Sequence, residues 1–175
     1  MPASHQVPAT SSPLLQGLPA VISPQTRLLI LGSFPGVASL AAQQYYGHPR
    51  NQFWPLVGAI WGLGLADMPY TQRVAWVQLR GLGLWDIYAR CRRIGSLDSA
   101  IQDAELNDLA SLQHLAPGLV WVAHNGAESA RSMRHLHALG LTVQRLPSSS
   151  PANATWSFAQ KLAAWRLVFE RAGLV

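Results

Sequence analysis

Four short aliphatic runs, each leading into a loop of Gly, Asp, Asn, Ser or Pro, restrict this 175-residue chain to very few folds. Residues 27–31 end at Gly32, residues 82–87 carry Asp86 near their end, residues 119–123 run into His124-Asn125-Gly126, and residues 141–146 run into Pro147-Ser148-Ser149-Ser150-Pro151. Runs this short and this apolar read as strands buried on both faces, which is the habit of a parallel sheet. Helical spacing fills the intervals. Residues 51–61 bring Phe53, Trp54, Val57, Ile60 and Trp61 to one side, and Pro55 is tolerated only in a first turn, so that helix starts near Gln52. Further helices are predicted over residues 70–79, 103–115, 127–139 and 157–171. Strands alternating with helices imply an α/β fold, a three-layer α/β/α sandwich around a four-stranded parallel sheet.

The length suits one domain, predicted to span residues 25–175 and to bury roughly 70% of its unfolded surface. Residues 1–24 hold five prolines and no Arg, Lys, Asp or Glu, and read as a tail loosely applied to the domain. Cys91 is the only cysteine, which excludes a disulfide framework and a Cys-based zinc site, and makes a reducing cytoplasm the expected location. His135 and His137 stand two apart on a predicted helix and face different ways, so no metal site and no cofactor are expected. No run approaches the ~18 apolar residues of a membrane span. A net charge of +5, carried almost wholly by Arg with Lys161 the one lysine, favours a polyanionic partner, nucleic acid before membrane. An inert basic surface would show the same charge.

In an open parallel sheet, ligands sit outside the carboxyl ends of the strands. All the unusual loops fall there, at residues 32–36, 86–88, 124–126 and 147–153, and this coincidence places a candidate site at that edge. Asn51 reads two ways, as a cap for the helix that follows or as a polar group facing a ligand. Asn125 offers a donor and an acceptor suited to a base edge, or belongs to a plain Asn-Gly turn. Phe34, Tyr45, Tyr46 and Phe53 are candidate stacking faces or core, and Gly32 and Gly36 permit close approach or simply turn the chain. Ser148, Ser149, Ser150 and Pro151 suit a phosphate-pinching loop or an ordinary strand-to-helix connection. Arg50, Arg92, Arg93 and Arg145 are candidate phosphate contacts or solvated charges.

The segments GSFPG, YYGHPRNQFW, LWDIYARCRRIGSLDSAI, HNGAESA and LPSSSPANA, in that order, resemble the hypoxanthine-DNA glycosylases, the sixth family of the uracil-DNA glycosylase superfamily. The resemblance runs from about Arg27 to the C-terminus. HPRNQFW is also similar to the mismatch-specific uracil glycosylases. The resemblance implies a uracil-DNA glycosylase-like fold and a monomeric enzyme acting on double-stranded DNA that contains a deaminated base. Such an enzyme flips the base from the duplex and hydrolyses its N-glycosidic bond through an oxocarbenium-like sugar, leaving an abasic site for base excision repair.

In the mismatch-specific relatives an Asn of the first loop holds the attacking water, but Phe34 stands at that position, and no carboxylate precedes Asp67. The resemblance therefore implies that Asn51 is catalytic, its amide oxygen accepting from the water that attacks C1′. It implies base recognition by Asn125, with Gly32, Phe34 through its backbone, and Tyr46 or Phe53 through a ring. Ser148, Ser149, Ser150, Pro151 and Arg50 are expected on the DNA backbone, and Asp86 and His48 as supporting groups. A uracil or mismatch-specific glycosylase and an inert damaged-nucleic-acid binding module remain alternatives. A magnesium nuclease is disfavoured because Asp98, Asp103, Glu105 and Asp108 are expected to cluster away from the strand ends.

Overall fold

The computed structural model describes residues 11–175. Its strands are β1 (Leu14–Gln16), β2 (Leu28–Gly32), β3 (Leu82–Asp86), β4 (Tyr88–Arg92), β5 (Gln102–Leu106), β6 (Trp121–Asn125) and β7 (Thr142–Leu146). Its α-helices are α1 (Val37–Ala42), α2 (Phe53–Trp61), α3 (Tyr70–Leu79), α4 (Leu112–Leu115), α5 (Ala127–Ala130), α6 (Met133–His137) and α7 (Phe158–Arg171).

β2 is the axis of the molecule. It pairs in parallel with β3 on one side and β6 on the other, and β7 completes a sheet of order β3-β2-β6-β7. Because successive side chains of a strand point to opposite faces, Leu28 and Ile30 enter one core with Phe53, Trp54, Val77 and Trp165, while Leu29 and Leu31 enter the other with Trp85, Val122, Leu112 and Leu136. Helices α2, α3 and α7 thus form one outer layer and α4 to α6 the other, giving the expected three-layer sandwich. The register brings the strand ends level: Gly32 lies beside Asp86, and Asn125 beside Leu146.

The long helices begin where local chemistry directs. Ser157 caps α7 by accepting from the Gln160 N–H, and Gln160 returns a bond to the Ser157 N–H. α2 begins at Phe53, whose N–H is satisfied by the Asn51 side chain at 2.9 Å.

Three expectations need correction. Residues 11–24 are not a loose tail: β1 pairs antiparallel with β4, Leu18 is 6% exposed, and Val21 exchanges two backbone bonds with Leu84 at the edge of the main sheet. The apolar residues here are isolated among prolines and serines, so no periodicity announces them. The first part of that predicted tail, residues 1–10, lies outside the described residues. Residues 103–115 are not one helix, because β5 forms an exposed antiparallel edge on β4. Arg90 pairs with Glu105 and Arg92 approaches Asp103 at 3.6 Å, so cross-strand charge overrides the helical preference of an Asp-Ala-Glu-Leu segment. The predicted helix over residues 127–139 is broken into α5 and α6 at Arg131-Ser132.

Deleting residues 1–18 should lower stability by at least about 2 kcal/mol, the usual loss for one buried leucine, with a matching fall in the thermal midpoint. An unchanged midpoint would restore the fold boundary at residue 25.

Candidate active site

The level strand ends form the floor of a cavity of about 640 Å³, within the range of ligand pockets. Gly32 to Gly36 come from the end of β2, Asp86 from β3, Asn125 from β6 and residues 147–153 from the loop after β7. Tyr45, Tyr46, His48 and Asn51 enter from the segment before α2. The loops expected at the strand ends converge here, and Asn51, Asn125, Phe34, Tyr46, Gly32, Asp86, His48, Ser148, Ser149, Ser150 and Pro151 all line the space.

The two asparagines are held differently. Asn125 is gripped at both ends by Ser149: its Oδ1 accepts from the Ser149 N–H at 2.9 Å and its Nδ2 donates to the Ser149 hydroxyl at 2.8 Å. The Ser149 carbonyl in turn accepts from the Gln52 N–H at 2.9 Å, joining the β7 loop to the start of α2. Asn51 stands one residue before the Gln52 N-cap, which makes no side-chain cap bond, and its Oδ1 takes the first helical N–H, that of Phe53, in the manner of a cap. A carboxamide oxygen has two lone pairs, so this bond fixes the side chain and leaves one acceptor site for a water. Capping and catalysis are compatible readings of the same residue.

The aromatic residues divide. Phe53 is fully buried and outside the cavity, which removes it as a direct base contact; its ring backs Tyr46 at 4.0 Å between centroids, nearly parallel at 17°. Tyr46 takes a left-handed backbone, with φ 56°, at an energetic cost of order 1–3 kcal/mol. Among the described residues its hydroxyl makes no hydrogen bond of good geometry; burial first, then the nearby Asp86, push its pKa up against the opposing pull of the neighbouring Asn125 carboxamide. The Phe34 ring lies against the guanidinium of Arg93 at 5.2 Å.

Asp86 is the unusual titratable group. Among the described residues Oδ2 has no partner, and burial first, then the charge of Asp98, push its pKa up to about 7 against the opposing pull of Arg93. Gly32 makes room for it, since a Cβ at residue 32 would collide with Oδ1. Asp98 also lines the cavity and accepts from the Ser33 hydroxyl at 2.6 Å, contrary to the expectation that it lies away from the strand ends. Its loop packs on the β2 loop through Ser96, whose hydroxyl accepts from the Val37 N–H. Among the described residues, no third His, Cys, Asp or Glu joins Asp86 and Asp98 in a metal-binding group.

A profile of the Uracil DNA glycosylase superfamily matches residues 19–169. The chain belongs to the uracil DNA glycosylase superfamily. It is 40% identical over 154 residues to a protein of Methanosarcina acetivorans named Hypoxanthine DNA glycosylase, covering 88% of this chain and 97% of the relative. A protein of the same name from Methanosarcina barkeri is 40% identical over 156 residues, covering 89% and 98%. A solution NMR structure from Methanosarcina acetivorans, provisionally assigned as a uracil DNA glycosylase, superposes with a TM-score of 0.83 at 38% identity, over 91% of this chain and 99% of that one.

In this glycosylase-superfamily chain the arginines separate by burial. Arg93 is 2% exposed and donates to the Pro35 carbonyl, so it supports the first loop from beneath and cannot meet a phosphate. Arg92 donates to the Ser12 carbonyl at 2.7 Å and serves the small sheet. Arg145 is exposed at the cavity and Arg50 is exposed beside it without lining it. Ser149 is fully buried and engaged with Asn125, which leaves Ser148 and Ser150 as the serines of that loop open to a ligand. His48 accepts from the Arg50 N–H at 3.1 Å and shapes the turn before Asn51.

Sequence reasoning missed the wall made by Ser96 to Ser99 and the rim residues Thr155 and Trp156, the latter 44% exposed. The first segment follows a strand of the small sheet, and the second lies at the far end of the connection from β7 to α7, beyond the Ser/Pro loop, so the strand-end rule gave no signal for them. It also missed Lys161, buried in α7, which donates to Gln52 Oε1 at 2.8 Å and to the Asn153 carbonyl at 3.0 Å. Trp165 adds a bond from its indole N–H to the Pro147 carbonyl at 3.0 Å. Together they clamp both ends of the β7 loop to one helix.

The raised pKa of Asp86 has a stability consequence. A buried acid held neutral contributes fully below its ordinary pKa of 3.8, and the contribution is lost as pH rises toward about 7. That decline amounts to up to about 4 kcal/mol. Denaturant unfolding of Asp86→Asn should lack this part of the decline; identical pH-stability curves for wild type and variant would show that Asp86 ionises normally.

Proposed function

We propose that this protein is a monofunctional DNA glycosylase that extrudes a deaminated base, hypoxanthine foremost, and hydrolyses its N-glycosidic bond. The observation that carries this reading is the fixed carboxamide of Asn51 at the wall of a strand-end cavity, in a chain closely similar along its length to relatives named for hypoxanthine. The substrate is double-stranded DNA, reached by a basic chain whose Arg145 and Arg50 are exposed at and beside the cavity. The enzyme acts as a monomer in the cytoplasm. No helix among the described residues is long and apolar enough to cross a membrane.

Extrusion costs a few kcal/mol, less for a base that pairs poorly, and the cavity receives the extruded base. Asn125, locked by Ser149, keeps one N–H and one lone pair free for the base edge. Tyr46, braced by Phe53, presents an aromatic surface to it. As the sugar gains oxocarbenium character, a water held by Asn51 Oδ1 adds to C1′. Positioning is the main demand on that water, and a capped, immobile carboxamide supplies it. Ser148 and Ser150 meet the flanking phosphates.

The uracil reading is favoured by one observation, the provisional assignment of the solved relative. Both bases present a donor and an acceptor that the Asn125 carboxamide can match.

Asn51→Ala should lower single-turnover base release by about 10²-fold or more while DNA affinity at fixed salt stays within about twofold. A variant as active as wild type would remove Asn51 from the reaction. A wild-type protein that binds DNA but releases no base would instead be a binding module.

A further inference from the structure

The assigned water chemistry leaves two cavity groups unused. Among the described residues, six buried side-chain polar atoms have no hydrogen-bond partner, and only the Tyr46 hydroxyl and Asp86 Oδ2 belong to residues that line the cavity. Buried polar atoms are costly to leave unpaired, so two of them on residues that line one cavity mark a place where a ligand can supply the partner. The two groups converge. A Cβ at Gly32 would collide with Asp86 Oδ1 and lie 3.6 Å from the Tyr46 hydroxyl, so glycine at the end of β2 leaves them facing a common space.

A purine leaving group needs what such a pair can give. When the C1′–N9 bond breaks, its electrons enter the purine ring, and the departing anion is poor unless a ring nitrogen is protonated. Asn51, holding a water, supplies no proton to the base. Resting on the glycosylase reading above, we propose that Asp86, in its protonated form and aligned by Tyr46, is the general acid that protonates the purine as it leaves. The carboxyl O–H bond breaks and an N–H bond forms on the purine ring. The electron pair of the C1′–N9 bond goes to the purine, and the water held by Asn51 bonds to C1′. The proton that water sheds restores the Asp86 acid, so atoms and charge balance over one turnover.

The surroundings keep the acid available near neutrality. Burial and Asp98, from the segment after β4, push the Asp86 pKa up to about 7, with Arg93 opposing. Tyr45 and Tyr46 face it from the segment before α2 and are themselves pushed up, by burial first and by its charge second, so they stay neutral. The neighbouring strand ends contribute Gly32, Ser33 and Asn125, none of them titratable, and His48 lines the same cavity with Nδ1 bound to the Arg50 N–H.

The test is single-turnover hypoxanthine release from a deoxyinosine duplex between about pH 5 and pH 9, for wild type, Asp86→Asn and Asp98→Asn. Wild-type rates should fall about tenfold per pH unit above about pH 7. Asp86→Asn should be slower by about 10²-fold or more at low pH and lack that fall, while Asp98→Asn moves the fall to lower pH. A slower Asp86→Asn that keeps the wild-type fall would make Asp86 structural and overturn the proposal, as would a flat wild-type profile. The wild-type and Asp98→Asn profiles decide the matter if Asp86→Asn does not fold. A wild type that releases no base at any pH overturns the glycosylase reading itself, a distinct result.

Discussion

Burial of β2 on all sides is the constraint on which the molecule depends. Leu28, Leu29, Ile30 and Leu31 have no exposed surface, since two strands flank them and a helical layer covers each face. A strand held in that way has no freedom of register, and a slip of one residue would turn Leu28 with Ile30, and Leu29 with Leu31, to the wrong core. Its carboxyl end is therefore a fixed reference point, and Gly32, Asp86 and Asn125 take their positions from it. The small antiparallel sheet and residues 17–22 then close the β3 side, which keeps the edge of the main sheet from lying open.

From that reference the site is stiffened by polar bonds rather than by added core. Ser149 ties β6 to the start of α2, Lys161 and Trp165 tie the following loop to α7, and Asn51 is both cap and site residue. Loops carrying chemistry are usually mobile; these are anchored at several backbone carbonyls, which suits a reaction whose chief requirement is a positioned water. Gln43, Tyr46 and Asp103 all take left-handed backbones, but of these Tyr46 alone lines the cavity, and its strained backbone carries the ring that faces it.

The four main strands, α2, α3 and α7 were legible because apolar periodicity and capping chemistry both point to them. The small sheet was not. β1 is three residues long, and β5 is exposed throughout with a helix-favouring composition, so only pairing with β4 makes either a strand. At the site, the residues on strand ends and Gly/Pro loops were legible by position, whereas burial was not: Phe53, Arg93 and Ser149 look like ligands in sequence and are supports in space. Asp98 could be placed only once the loop after β4 was seen to fold back on Ser33. The two readings of Asn51 could not be separated by sequence because the structure uses both the cap and the cavity position.

The most direct test of the account is product analysis from two duplexes, one with deoxyinosine and one with deoxyuridine, incubated with the protein in EDTA. The account predicts free hypoxanthine, released faster than uracil and leaving an alkali-labile abasic site. Intact DNA from both duplexes, or strand cleavage without a free base, would contradict it.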